Sequence, residues 1–80
     1  MKSAEVNRIF SKYSEECKGK NYESVANIYM EGSDFSTEFC ICAETDWRYF
    51  DGTLHLSTPQ GEEYIDCEAI QRIAVKIEKN

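Results

Sequence analysis

Proline occurs once in the 80 residues, histidine once and glycine four times. So few backbone breakers leave little room for a loop-dominated or disordered chain. No apolar run, even around Cys40-Ile41-Cys42, comes near the ~20 residues a membrane-spanning helix needs. The opening Met1-Lys2-Ser3-Ala4-Glu5-Val6 meets charge every few positions and has no apolar stretch of the secretory type, so a cytosolic location is expected and no membrane partner. There is no Gly-x-Ser-x-Gly, no His-Glu-x-x-His and no phosphate-cradling glycine loop. The lone His55 has no nucleophile at a telling spacing and reads as a surface histidine beside Thr53 and Ser57. Carboxylate pairs such as Glu62-Glu63 would need an enclosed pocket to separate their pKa values, and a domain this small fills its interior with side chains. The expectation is no enzyme activity, no catalytic residue and no cofactor.

Four cysteines are present, Cys17, Cys40, Cys42 and Cys67, without a Cys-x-x-Cys knuckle. In a reducing compartment they read as small hydrophobes and no disulfide is expected. A structural zinc site built from all four is the alternative, disfavoured because a Cys-x-Cys in a strand does not aim two thiolates at one ion.

What is present is enough for one core: hydrophobic residues make up 41% of the chain and aromatics 12%. A single domain over residues 1–80 is expected, with a helix over about 3–18 and a strand-rich body over about 22–78. The net charge of −6 is unevenly spread. Residues 1–20 and 71–80 are each +2, whereas residues 21–70 carry eleven carboxylates against the single cation Arg48. Such a field suits a basic partner surface and opposes direct nucleic-acid binding, which depends on Lys and Arg meeting phosphates.

Val6, Ile9, Phe10, Tyr13 and Cys17 share one helical face, with Ser3 as a candidate cap, Gly19 as a stop, and Glu5 and Lys18 placed to suit the helix dipole. Residues 21–30 fit either a second helix (Tyr22, Val25, Ala26, Tyr29) or an alternating strand (Ala26, Ile28, Met30), and strand is favoured. After a turn at Gly32-Ser33-Asp34, Phe35 to Glu44 alternates, with Thr37, Phe39, Ile41 and Ala43 on one face. Trp47 to Phe50 continues as extended chain, Asp51-Gly52 is a two-residue hairpin signal, and Thr53 to Thr58 places Leu54 and Leu56 inward. A turn at Pro59-Gln60-Gly61, a short strand over 63–66, one helical turn over 67–70 and a last strand over 72–78 complete the chain, with Ile73, Val75 and Ile77 on one face. The fold class expected is α+β: an N-terminal helix packed on a small five-stranded antiparallel sheet or Sm-like barrel, its strands in meander order.

The cluster Trp47, Arg48, Tyr49 and Phe50 holds Trp, Tyr and Arg, the types that dominate interface hot spots, and Glu44, Asp46 and Asp51 would rim it. The competing reading puts Trp47 or Phe50 in the core, Tyr49 over an edge, and Tyr22, Tyr29 and Tyr64 in half-buried packing. The candidate partner-binding set is Glu44, Asp46, Trp47, Arg48, Tyr49, Asp51, Glu62 and Glu63.

The helix-first layout with a single turn before the last strand, together with Gly52 to Thr58 and Gly61 to Ile73, resembles the small Sm-like barrels. RNA-binding members carry a polar base-reading motif and a basic element; the matching stretches here, Glu44-Thr45-Asp46-Trp47 and Tyr64-Ile65-Asp66-Cys67, have neither. In acidity the chain is closer to the Rho-inhibitor (Rof) type, which implies contact with another protein. Small acidic phage or mobile-element inhibitors, among them DNA mimics and anti-CRISPR proteins, share its size and charge. A stoichiometric inhibitor or regulator of a basic, nucleic-acid-handling protein is therefore expected. The alternatives are an Sm-like RNA binder and a metal-stabilised structural module. An exposed sheet edge would also allow a homo-oligomer.

Overall fold

The computed structural model describes residues 1–42 and 46–79. Helix α1 spans Ser3–Cys17 and is followed by strands β1 (Tyr22–Met30), β2 (Ser36–Cys40), β3 (Trp47–Phe50), β4 (Thr53–Thr58), β5 (Gly61–Asp66) and β6 (Ile70–Lys79), with a 3-10 turn at Cys67–Ala69 between the last two. The class is α+β. The single five-stranded sheet or Sm-like barrel in meander order is corrected: six strands form two three-stranded antiparallel sheets, β2-β1-β6 and β3-β4-β5, and neither a single sheet nor a closed barrel. Two chain features cause this. The strand expected over Phe35 to Glu44 stops at Cys40, and the 3-10 turn redirects the chain so that β6 lies beside β1 instead of extending the second sheet.

Helix α1 buries Val6, Phe10, Ser14 and Cys17, with Ile9 and Tyr13 half-buried, which is the stripe the 3.6-residue period sets out. Ser3 does not cap it. Lys2 occupies the cap position without a side-chain bond, and its carbonyl accepts from the Glu5 and Val6 N–H groups. At the other end Lys18 is the cap and Gly19 takes φ 69°, the left-handed conformation that ends many helices. Glu5 stands in the first turn and pairs with Arg8, while Lys18 pairs with Glu15.

Residues 22–30 are a strand, and tertiary pairing explains why the helix pattern loses: β1 is hydrogen-bonded along both edges, to β2 and to β6. Its register brings Ala26 opposite Phe39 and Val75, and Ile28 opposite Thr37 and Ile73, so one face of this sheet is apolar. That face, the helix stripe and the inward residues of the second sheet (Leu54, Leu56, Ile65) close one core with Ile41, Cys67 and Ile70. Phe10 sits among aromatics, stacked with Phe39 at 6.1 Å between ring centroids and edge-on to Trp47 at 5.4 Å. Of the β6 residues expected on one face, Ile73 and Val75 are half-buried and Ile77 is exposed at the strand's end. Ala43 lies outside the described residues. No helix is long and apolar enough to cross a membrane among the described residues.

Candidate functional site: the outer face of the β3-β4-β5 sheet

Alternation along a strand sends successive side chains to opposite faces, and here it splits the candidate residues. The Asp51-Gly52 turn, with φ 49° and 80°, fixes the register of β3 on β4. Trp47 pairs with Leu56 and Tyr49 with Leu54; both aromatics pack against the core, so neither belongs to an exposed cluster. Arg48 pairs with His55 and Phe50 with Thr53, on the opposite face. On β5, His55 pairs with Tyr64 and Ser57 with Glu62, whereas Glu63 pairs with Leu56 and falls on the inward parity.

Two rows therefore cross the outer face of the sheet. One runs Arg48, His55, Tyr64 and the next Phe50, Thr53, Asp66, with Ser57 and Glu62 at the far end of the hairpin β4-β5. Arg48, Phe50, Asp51, Thr53, His55 and Tyr64 line one shallow hollow. Phe50 is 75% exposed and Tyr64 70%, among the largest exposures of any apolar side chain described. Of the pair Trp47 or Phe50 considered for the core, Trp47 takes that place and Phe50 stays outside, while the reading of Tyr64 as half-buried packing is corrected. Phe50 and Tyr64 stand on the outward parity of short strands, with no layer above them among the described residues.

His55 does point outward with Thr53 and Ser57, but it is half-buried and organised. Its ring stacks on Tyr64, 4.4 Å between centroids and 7° between planes. Its Nε2 bonds the Glu62 carboxylate, which also accepts from Ser57 Oγ at 2.9 Å. The hydroxyl of Ser57 and then the His55 ring hold the Glu62 carboxyl below its ordinary value of 4.5, because both bonds favour the ionised form. The network orients Tyr64 through His55 and keeps one carboxylate fixed beside it.

Of the expected site residues, Arg48, Asp51 and Glu62 come together on this face. Asp46 and Glu63 line a different hollow with Thr37, Glu38 and Ser57 to Gln60. Trp47 and Tyr49 belong to the core side, and Glu44 lies outside the described residues. The sequence reading names Phe50 in the aromatic cluster but not in the candidate set, and it misses His55, Tyr64 and Asp66 as part of this surface. The signal that finds them is strand parity: once Leu54 and Leu56 point inward, every residue two positions apart from His55, and every partner opposite, must point outward.

The histidine and its carboxylate contact Ser57 and Tyr64 on an open sheet surface. Among the described residues, no group of three or more His, Cys, Asp or Glu side chains is placed to hold a metal ion, which leaves the four-cysteine zinc site without a grouping. Comparison with protein-family models, with curated proteins and with solved structures finds no match.

Proposed function

We propose that this chain is a non-enzymatic protein-binding module, of the inhibitor or regulator kind, that docks the outer face of its β3-β4-β5 sheet onto a basic surface of another protein. The observation that carries the reading is the pairing of two exposed aromatic rings, Phe50 and Tyr64, with flanking carboxylates at Asp51, Asp66 and Glu62. Aromatic side chains of this kind supply contact area at low entropic cost, and Arg48, on β3 two residues from Phe50, adds a directional donor. The carboxylates supply long-range attraction to lysine and arginine and speed encounter. Stacking platforms for single-stranded nucleic acid also use exposed rings on a sheet. Here the face offers one cation against three carboxylates, so phosphate is repelled. The Sm-like likeness belongs to the same reading. It is supported by the leading helix, the 3-10 turn before β6 and the return of β6 to the side of β1.

The test is capture of partners from the native host by the intact chain, in parallel with a Phe50→Ala/Tyr64→Ala variant and a Glu62→Lys/Asp66→Lys variant. The expected result is a single stoichiometric protein held by the unaltered chain, released as salt rises from about 0.05 to 0.5 M, over which screening shortens from roughly 14 to 4 Å. Both variants should lose it. A partner retained equally by both variants, recovery of nuclease-sensitive RNA, or self-association through this face would each overturn the proposal.

A further inference from the structure

The remaining chemistry of the chain is concentrated at the far end of α1. Cys17, on the last helical turn, and Cys42, just beyond β2, place their Sγ atoms 2.7 Å apart, well inside the van der Waals separation of two sulfurs. Cys17 is 7% exposed and bonds Ser24 Oγ at 3.3 Å; Cys42 Sγ accepts the Ser24 backbone N–H at 3.1 Å. Ser24 is fully buried on β1 and so holds both sulfurs from below. Cys40 is exposed on β2 but also bonds the Cys42 thiol, so it is the competing partner, and the Cys67 N–H bonds the Gly52 carbonyl.

We infer that Cys17 and Cys42 form a redox-active pair, which closes to a disulfide when the folded chain meets a small organic disulfide. The reaction is two successive thiol–disulfide exchanges. Cys42, the more accessible of the two, attacks the organic disulfide and releases one small thiol; Cys17 then attacks the Cys42 sulfur and releases the second. Two protein thiols lose two electrons and two protons, and the organic disulfide takes up both as it leaves as two thiols. Burial, together with the bond to Cys17, pushes the Cys42 thiol up to about 12, so the pair stays reduced on brief exposure and closes under sustained excess of oxidant. The bond would staple the end of α1 to the β2-β1-β6 sheet across a sequence separation of 25 residues.

The experiment incubates the folded chain over a prolonged period with excess oxidised glutathione at about pH 8.5, where only a small fraction of Cys42 is thiolate and the exchange is slow, and follows intact mass and melting temperature. Expected is the loss of two hydrogens and a rise in Tm of about 10–20 °C, both reversed by reductant. Cys17→Ala and Cys42→Ala should each abolish the two changes, while Cys40→Ser and Cys67→Ser keep them. Because Cys40 and Cys42 share a tryptic peptide, the bond is mapped in the Cys40→Ser variant, and that mapping decides the matter even where Cys17→Ala fails to fold. A chain that retains four thiols, that accumulates glutathione adducts without losing two hydrogens, or whose mapped bond joins any other pair overturns the inference.

Discussion

Two phenylalanines should respond to the same substitution with very different losses of stability. Phe10 is fully buried, stacked with Phe39 and edge-on to Trp47, and it anchors α1 to both sheets. Truncating such a ring costs about 3–5 kcal/mol, and each of the two lost ring pairs weighs a further 0.5–1.5 kcal/mol, partly counted already in that range. An 80-residue chain has roughly 4–12 kcal/mol in total. Phe10→Ala should therefore remove a large share of that stability, and nearly all of it at the low end of the range. Phe10→Leu keeps most of the volume and should cost about 1–2 kcal/mol, a fall in Tm of about 6–12 °C. Phe50 is 75% exposed, and Phe50→Ala should cost below about 1 kcal/mol, mainly the strand preference for an aromatic. Urea unfolding followed through the single tryptophan, Trp47, reads all three on one scale. The order Phe10→Ala, Phe10→Leu, Phe50→Ala is the prediction. A Phe50→Ala variant as damaged as Phe10→Leu would mean that the outer face is covered by part of the fold. A mild Phe10→Ala would mean that the helix does not seal the core.

Three further outcomes follow from single groups. Ser14 is fully buried on α1, and its hydroxyl has no partner among the described residues, so Ser14→Ala should raise stability by about 1 kcal/mol or more, read as a higher urea midpoint. Glu62 has a lowered folded pKa, so its contribution is present above the unfolded value of 4.5 and is lost as pH falls through the folded one; Glu62→Gln should flatten that acid limb in a Tm-against-pH series. Cys42 has the opposite sign. Its folded value near 12 lies above the ordinary 9.0, so its contribution is intact below pH 9.0 and is lost between there and about 12; Cys42→Ala should reduce the alkaline fall in Tm.

Local periodicity was strong enough to set most elements. Val6, Phe10 and Cys17 at helical spacing, Leu54 and Leu56 at strand spacing, and Asp51-Gly52 between two runs each declare their structure within a few residues. The split into two sheets was not legible, because it depends on β6 choosing β1 as its neighbour, a pairing between residues about fifty positions apart. The site was half legible for a related reason. Residue type singled out Trp47 to Phe50 as a block, but a strand cannot present four consecutive residues to one partner. Parity hands Trp47 and Tyr49 to the core and Arg48 and Phe50 to the surface, and only cross-strand register then recruits His55 and Tyr64. The thiol pair was hidden altogether, since nothing in the spacing of Cys17 and Cys42 shows that Ser24 holds them together.

The alternation of the second sheet separates what keeps the protein folded from what it shows to the outside. Leu54, Leu56 and Ile65 are buried, while Arg48, Phe50, His55, Ser57, Glu62 and Tyr64 occupy the intervening positions of the same three strands. Substitutions can therefore accumulate on one set without disturbing the other, and the frame could be re-targeted by rewriting about six positions. An inserted or deleted residue at Asp51-Gly52 has the reverse effect, because it exchanges the two sets and turns the display face inward. Lineages of such a protein should thus diverge by replacement across the outer rows and hold the length of that hairpin constant.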